Sequence, residues 1–383
     1  MDVAEATLQG WYREFPPENL IDLSSSGVRP YALADVRRLG GLTDEELNGV
    51  VFHDSGTLGG ARLRGAIAAR FGVDDPSRVM ATAGSSEAIF LLLGTLLRPG
   101  DDVLLLTPCY HALASVPALA GAAVRTVSVI GEGGYHADVD ALIDALRPET
   151  RAVIVNFPHN PTGVTIDEPS LRRLVDAVES VGAYLVWDAA FAELALSAPP
   201  LPDPAAWSDR VVTLGTLSKA YGFPGMRVGW CIGPAAILER TIGLHDATTL
   251  ALSPLVELVA SRVLEAGDAF VAPRREAAAR NLERVSKLVS GLDDLVAWTR
   301  PAGGVSALLR LEGVDADEPF CRRLAAEAGV LLVPGIAFGE PGHVRLGFGG
   351  DEAAVEAGLE RLHAFLVRLG SGRRPVGRGV ATA

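Results

Sequence analysis

Residues 211–229 read VVTLGTLSKAYGFPGMRVG, and the fold prediction starts from this stretch. Thr216, Ser218 and Lys219 follow its opening apolar run, and Arg227 comes eight residues after the lysine. Short apolar runs are typical of buried strands, and open α/β sheets bind ligands beyond the carboxyl ends of their strands. A lysine alone is usually a solvated surface charge. Here the two hydroxyls and the guanidinium suit a dianionic phosphate and leave the amine free to form a Schiff base, so we predict a ligand site.

The stretch belongs to a longer pattern, in which β-rich runs alternate with helix-like segments from about residue 60 to 235. This alternation predicts a mostly parallel sheet covered by helices. The seven predicted strands are Val79 to Thr82, Asp102 to Leu106, Ala123 to Val129, Ala152 to Phe157, Tyr184 to Trp187, Val211 to Leu214 and Arg227 to Ile232. Residues 273–292 predict a long helix that leads away from this sheet. The elements predicted beyond it are strands at 304–311, 329–333 and 343–348 and helices at 319–328 and 352–369.

Composition limits the class of protein. The chain has 383 residues, 49% of them apolar, which is enough for two packed domains. A net charge of −13 argues against nucleic acid or an anionic membrane as the main partner and favours a small molecule. Three separated cysteines, Cys109, Cys231 and Cys321, indicate neither a disulfide framework nor a metal site. The acidic start at Met1 and the lack of a membrane-length apolar stretch predict a cytoplasmic protein.

Two motifs carry a family resemblance. Ser218-Lys219 followed by Gly225-Met226-Arg227-Val228-Gly229, together with NFPHNPTG at residues 156–163, resembles the fold-type-I pyridoxal-phosphate-dependent aminotransferases of classes I and II. The resemblance covers most of the chain. It implies an aspartate-aminotransferase-like α/β fold, with a large domain built on a seven-stranded, mostly parallel sheet and a smaller α+β domain.

The implied division of the chain has four parts. An N-terminal segment, residues 1–45, joins the small domain; residues 46–272 form the large cofactor-binding domain; residues 273–370 form the small C-terminal domain. Residues 371–383 are small, polar and basic, and predict a disordered tail.

The resemblance also implies the cofactor and two catalytic residues. Pyridoxal 5′-phosphate is held on Lys219 as a Schiff base, and Asp188 pairs with the pyridinium nitrogen and keeps the ring protonated as an electron sink. Asn160 donates to the O3′ oxygen of the cofactor and contacts the substrate. Tyr110 stacks on the pyridine ring.

The remaining implied site residues bind phosphate or substrate. Gly84, Ser85 and Ser86 stand at a strand-to-helix turn, where backbone N–H groups face a phosphate. The other implied phosphate donors are Thr216, Ser218 and Arg227. Gly27 and Arg345 bind the substrate, and Arg345 grips its α-carboxylate through a bidentate pair. No metal is implied.

The sequence departs from the usual aminotransferase pattern at two places. Phe191 stands where many relatives have a tyrosine, so the phenolic contact to O3′ is absent. Residues 52–55 read Phe-His-Asp-Ser where a neighbouring subunit commonly offers a tyrosine, and His53 is the candidate replacement. The resemblance implies a homodimer with shared active sites, in which this loop and residues 248–252 cross the interface.

Three consecutive serines, Ser24 to Ser26, narrow the reaction further. With residues 158–161, 187–191, 215–222 and 252–257, they resemble the capreomycidine synthases of antibiotic biosynthesis. That resemblance implies a hydro-lyase and cyclase: 3-hydroxy-L-arginine loses water, and its own guanidine then adds at Cβ.

Two questions stay open in the sequence. Asp54 and Glu193 are candidates for the carboxylate that holds the guanidinium and for the acid that assists hydroxide loss. An aminotransferase acting on arginine or a related amino acid, with a 2-oxo acid as acceptor, is the alternative function.

Overall fold

The computed structural model describes residues 6–16, 19–131, 133–292, 294–314 and 316–371. Its strands are β1 (Ile21–Asp22), β2 (Val79–Thr82), β3 (Asp102–Thr107), β4 (Ala123–Ser128), β5 (Ile130–Gly131), β6 (Gly134–Tyr135), β7 (Thr150–Asn156), β8 (Tyr184–Asp188), β9 (Val211–Thr216), β10 (Gly229–Ile232), β11 (Val296–Ala297), β12 (Ser306–Leu311), β13 (Val330–Leu331), β14 (Val333–Pro334) and β15 (His343–Gly347). Its helices are α1 (Thr7–Glu14), α2 (Leu33–Gly40), α3 (Asp44–Asn48), α4 (Ala61–Arg70), α5 (Ser85–Leu96), α6 (His111–Leu119), α7 (Val139–Asp144), α8 (Glu168–Ser180), α9 (Ala235–Arg240), α10 (Ile242–Asp246), α11 (Pro254–Ala266), α12 (Asp268–Ser290), α13 (Asp317–Ala328) and α14 (Glu352–Ser371). In the part of the chain so described, no helix has the length and apolarity needed to cross a membrane.

The predicted seven-stranded sheet is confirmed, in the order β2-β10-β9-β8-β7-β3-β4. Its strand pairs are parallel except for those of β10, which runs antiparallel to both β2 and β9. The seven predicted strands match observed ones to within two residues at each end. Two strand starts differ by two residues: β7 begins earlier, at Thr150, and β10 begins later, at Gly229 and not at Arg227. Arg227 has a φ of 53°, a left-handed conformation that extended strands do not contain.

Both faces of this sheet are buried. Along β7, Val153 and Val155 pack into one apolar cluster, and Ala152 and Ile154 pack into another on the opposite face. Alternate residues of a strand point to opposite faces, so each face of the sheet contributes to its own core. Burial on both sides fixes the strands, and with them the loops that leave their carboxyl ends.

A second sheet has the order β11-β12-β15-β14 and is antiparallel throughout. The N-terminal segment joins this region, because β1 pairs in parallel with β13 through Ile21 and Val330. Trp11 of α1 adds a hydrogen bond from its indole Nε1 to the carbonyl oxygen of Leu332, at 2.9 Å. Helix α1 is therefore held by a residue that lies more than three hundred positions later in the sequence.

Two predicted boundaries were wrong. The long helix begins at Asp268, one turn before Pro273, because Phe270 and Val271 are fully buried and extend its packed face. The predicted strand at 329–333 is two short strands: β13 pairs with β1, whereas β14 pairs with β15. The predicted tail lies outside the described residues from position 372 onward.

Candidate active site

Three adjacent parallel strands end together at one edge of the large sheet. Asn156 is the last residue of β7, Asp188 the last of β8, and Thr216 the last of β9. Asn156 and Asp188 are direct partners in the strand register. Because carboxyl ends of parallel strands gather at the same edge, their polar side chains form one wall of a ligand site.

A cavity of about 280 Å³ lies against this edge. The predicted site residues that line it are Ser85, Ser86, Tyr110, Asn160, Asp188, Ser218, Lys219, Arg227 and Arg345. The other lining residues are Leu8, Gln9, Tyr12, Asp22, Ser25, Ser26, Asn156, Ala190, Phe191 and Pro224. The structure thus brings nine predicted side chains to one cavity.

Lys219 presents its amine to this cavity. The amine nitrogen Nζ donates to the hydroxyl of Ser26 at 2.9 Å and lies 5.6 Å from the ring centre of Phe191. Burial lowers the pKa of Lys219 to about 8, aided by Arg345 and opposed by Asp188. A lysine with so low a pKa has a substantial neutral, nucleophilic fraction near neutral pH.

Asp188 lies 5% exposed at the floor of the site. Its Oδ1 accepts a hydrogen bond from the backbone N–H of Ala190 at 3.0 Å. Burial raises the pKa of Asp188 to about 6, against the lowering effects of that bond and of Lys219. A buried carboxylate of this kind is stabilised by a cationic N–H partner, which is what a protonated pyridine supplies.

A cradle for an anion forms at the start of α5. Gly84 has a φ of 88°, and a Cβ atom there would lie 2.3 Å from Nη2 of Arg227, so only glycine fits. Ser85 and Ser86 follow in the first turn of the helix, where free N–H groups favour a phosphate. Nη1 of Arg227 lies 3.3 Å from the Ser218 hydroxyl. The cradle and Asp188 together fit the two charged ends of pyridoxal phosphate.

Thr216 lies one layer behind the cradle. Its hydroxyl oxygen is 3.0 Å from the Ser218 hydroxyl and 3.0 Å from the Val228 carbonyl oxygen. It also accepts from the Ser218 backbone N–H at 3.1 Å. Thr216 therefore positions Ser218 from behind the wall of the cavity.

Arg345 forms the opposite wall and is only 1% exposed. Nη1 donates to Oδ1 of Asn160 at 3.1 Å, and Nη2 donates to the Tyr12 hydroxyl at 2.7 Å and to the Ser24 carbonyl oxygen at 2.8 Å. Its Nε has no hydrogen-bond partner among the described residues. A buried guanidinium held by neutral groups only is a site for a carboxylate.

Three residues of the site were not predicted from the sequence. Tyr12 contacts Arg345 across 333 positions of sequence, and no local pattern around it indicates this. Asn156 lies in the NFPHNPTG motif; it donates to the Asp188 carbonyl oxygen at 2.8 Å and accepts from the Asn160 N–H at 2.8 Å. Ser26 belongs to the unusual serine run, which was the available signal.

The structure does not bring all candidates to the cavity. His53 and Asp54 lie on an exposed loop and do not line it. Glu193 accepts from Nε of Arg70 at 2.9 Å and also lies outside it. Gly27 lies beside the site, against the Ser218 carbonyl oxygen.

The chain matches one known protein family and is similar to several enzymes. The family model described as aminotransferase class I and II matches residues 44–362. The chain is 41% identical to capreomycidine synthase of Streptomyces vinaceus over 371 residues, which covers 96% of this chain and 95% of that protein. It is 31% identical to the arginine–pyruvate transaminase AruH of Pseudomonas aeruginosa, with 71% and 70% coverage.

The chain is also similar to a solved structure. The PLP-dependent cyclase OrfR matches with a TM-score of 0.92 and 42% identity, covering 96% of this chain and 98% of that one. The chain therefore belongs to the class I and II aminotransferase family: it has the α/β fold of the aspartate aminotransferases and is an enzyme whose cofactor is pyridoxal phosphate.

Proposed function

We propose that the enzyme removes water from 3-hydroxy-L-arginine and closes a ring by adding the substrate's own guanidine at Cβ. The observation that carries this proposal is the similarity to capreomycidine synthase, which extends over nearly the whole of both chains. The convergence of Lys219, Asp188 and Arg345 on one cavity supports it, because these side chains suit α-proton chemistry on an amino acid.

In this proposal the residues at the carboxyl ends of the strands hold the cofactor. Lys219 would carry it, Asp188 would face its ring nitrogen, and Asn160 its O3′ oxygen. The phosphate would be bound by the cradle of Gly84, Ser85, Ser86, Ser218 and Arg227, and Tyr110 would lie on the ring. When bound, pyridoxal phosphate withdraws electrons from the substrate Cα and so makes the Cα–H bond acidic.

Arg345 would bind the substrate carboxylate. Its guanidinium is already oriented by Asn160, Tyr12 and the Ser24 carbonyl, so little ordering is needed when the substrate arrives. This contact fixes Cα between the carboxylate anchor and the amine of Lys219. Lys219 then takes the proton from Cα as general base.

The electron pair left at Cα forms a Cα–Cβ double bond as the Cβ–O bond breaks, and the oxygen leaves as water once it has taken up a proton. A guanidine nitrogen then adds at Cβ and loses a proton to Lys219, which delivers a proton to Cα. Hydrogen and hydroxide leave the substrate in equal number, so no second amino-group acceptor is required.

Aminotransfer is the second candidate function. The similarity to an arginine–pyruvate transaminase favours it, and the same residues would bind cofactor and carboxylate. The two functions differ in their need for an acceptor. A transaminase needs a 2-oxo acid and converts it to an amino acid, whereas the cyclase needs no acceptor and releases only water.

One incubation experiment distinguishes them. The enzyme is given 3-hydroxyarginine alone and, separately, arginine with 2-oxoglutarate, and product masses are recorded. We expect a product lighter by one water in the first reaction and no glutamate in the second. Glutamate formation without water loss would instead assign the enzyme as a transaminase.

We also propose that the enzyme is a homodimer with shared sites. Phe52 and Leu250, in the two segments predicted to cross the interface, are 75% and 45% exposed, and Val51 beside the first segment is 69% exposed. Exposed apolar side chains in both segments support a contact with a second copy. Sedimentation is expected to give a dimer; a fully active monomer would contradict the proposal.

A further inference from the structure

The serine run Ser24 to Ser26 links the two walls of the cavity. The Ser24 carbonyl oxygen accepts from Arg345, and two positions later the Ser26 hydroxyl accepts from Nζ of Lys219 at 2.9 Å. Ser26 is buried, at 7% exposed, and lines the cavity. Ser25 also lines the cavity, but it is exposed and its hydroxyl accepts from the backbone N–H of Gly27 at 3.1 Å.

The other hydroxyls at the cavity have different partners. The Tyr110 hydroxyl lies 3.1 Å from Oγ of Ser86, within the anion cradle. The Ser218 hydroxyl accepts from Arg227, and the Tyr12 hydroxyl accepts from Arg345. Among the described lining residues, Ser26 therefore offers the hydroxyl placed next to the amine that takes the α-proton.

We propose that Ser26 is a catalytic residue that passes a proton from Lys219 to the departing β-hydroxyl. This inference rests on the proposed function and adds the acid that the sequence did not identify. Asp54 and Glu193 do not line the cavity. Asp22 does line it, but its Oδ1 already accepts from the backbone N–H groups of Ser24 and Ser25 and from the Ser24 hydroxyl.

The proton balance closes without any further reactant. Lys219 takes the proton from Cα and becomes an ammonium. Ser26 donates its hydroxyl proton to the oxygen on Cβ and recovers one from the ammonium, as the Cβ–O electron pair leaves with the oxygen. The proton lost from Cα thus departs in the water, and Ser26 and Lys219 end uncharged. A relay suits serine because it never has to hold a net charge.

The test compares three variants. Ser26→Ala removes the hydroxyl, Ser26→Thr keeps it, and Ser25→Ala removes the neighbouring hydroxyl that does not reach Lys219. Each is assayed for water loss from 3-hydroxyarginine and for washout of deuterium from Cα of arginine, which has no β-hydroxyl to expel.

A relay through Ser26 predicts that Ser26→Ala slows water loss far more than α-deuterium washout. Ser26→Ala should slow water loss by about a hundredfold or more, the usual range for losing a general acid, while α-deuterium washout falls by less than about tenfold. Ser26→Thr should recover water loss to within about tenfold of the wild type. Equal losses in both reactions for Ser26→Ala, or a Ser26→Thr rate as low as that of Ser26→Ala, would overturn the inference.

A readout independent of turnover is the reactivity of Lys219 in the full-length protein prepared without cofactor. The chain has two lysines, so competitive acylation followed by mass spectrometry can use the exposed Lys287 as an internal reference. The Ser26 hydroxyl accepts from the ammonium and favours the charged form. Ser26→Ala should therefore shift the Lys219 labelling curve to lower pH and Ser25→Ala should leave it in place; an unchanged curve in Ser26→Ala contradicts the contact.

Failure of this inference is distinct from failure of the proposed function. If the wild type releases no water from 3-hydroxyarginine, the proposed function is wrong and the relay falls with it. If the wild type releases water and Ser26→Ala does so at the same rate, the function stands and the relay is wrong.

Discussion

The two walls of the cavity are built in different ways. The strand wall consists of Asn156, Asp188 and Lys219, at or just beyond the carboxyl ends of β7, β8 and β9. The anchor wall consists of Tyr12, Ser26 and Arg345, which come from α1, the serine run and β15 and meet only through long-range contacts. Residues of the strand wall are held by strands buried on both faces. Arg345 of the anchor wall is instead held by long-range contacts with Tyr12, Ser24 and Asn160.

This difference indicates a division of labour. In the proposed function, Lys219 and Asp188 act on developing charge, and the buried sheet sets their positions in advance. Arg345, which is proposed to bind the substrate, lies on β15 of the second sheet. Changes in the strand wall should therefore abolish chemistry, whereas changes at Tyr12 and Arg345 of the anchor wall should weaken binding first.

The largest effect is expected for Lys219→Ala, which removes the residue proposed to be both the carrier of the cofactor and the general base. We expect turnover to fall by about 10⁴-fold. Borohydride reduction of the cofactor-loaded wild type should fix a label on the Lys219 peptide, and the variant should show none. Lys287→Arg is the matched control, since it removes the other lysine of the chain from an exposed surface of α12. A label at Lys287 in the wild type would overturn the assignment.

Asp188→Asn is the second test of the strand wall. The change removes the charge that favours a protonated ring nitrogen, whose value grows as charge develops in the transition state. Losing one charge-assisted hydrogen bond of about 1.5–3 kcal/mol corresponds to roughly ten- to hundredfold, and the electron-sink role should take the loss of kcat beyond this range. KM should change little.

The chain offers a matched control for this variant. Asp203 is half-buried, and desolvation raises its pKa to about 6 as well, but it lies outside the cavity and accepts from the Thr213 hydroxyl. Asp203→Asn should retain turnover per folded molecule. Similar turnover in Asp188→Asn and Asp203→Asn would show that Asp188 has a structural role only.

The sequence predicted the strand wall far better than the anchor wall, for a physical reason. Asp188 and Lys219 of the strand wall each follow an apolar run and match the family motifs, and the structure places both in the cavity, whereas their neighbour Asn156 was not predicted. Arg345 was predicted from a local motif, but its partner Tyr12 is 333 positions away. A contact that depends on how two distant segments pack leaves no periodicity in either of them.

Arg345→Ala tests the anchor wall. Its guanidinium would contact a carboxylate present in both the ground and the transition state, so KM should rise with a smaller loss of kcat. Losing a charge-assisted pair should lower kcat/KM by roughly ten- to hundredfold. The cofactor absorbance should be retained, because Arg345 is placed with the substrate. Arg345→Lys should fall between wild type and alanine, since it keeps the charge and loses the planar fork. Loss of the cofactor absorbance in Arg345→Ala would show that this residue holds the cofactor and not the substrate.

The smallest effect is expected for Tyr12→Phe. The Tyr12 hydroxyl accepts from Nη2 of Arg345 and donates to the Ser24 carbonyl oxygen at 2.9 Å, while the same Nη2 also donates directly to that carbonyl. Removing the hydroxyl therefore takes away one of two restraints on Nη2 and leaves the guanidinium in place. A hydrogen bond of about 0.5–1.5 kcal/mol corresponds to a two- to tenfold rise in KM, with kcat almost unchanged.

Tyr135→Phe is the matched control for this last variant, because Tyr135 is a buried tyrosine that does not line the cavity. Kinetic constants of Tyr135→Phe should equal those of the wild type.

The effects of Arg345→Ala and Tyr12→Phe on kcat/KM should not be additive. Once Arg345 is alanine, the Tyr12 hydroxyl has lost the group that it orients, so adding Tyr12→Phe should lower kcat/KM no further. Additive effects on kcat/KM would mean that Tyr12 acts on the substrate directly, and the anchor wall would then have two independent contacts where the geometry assigns one.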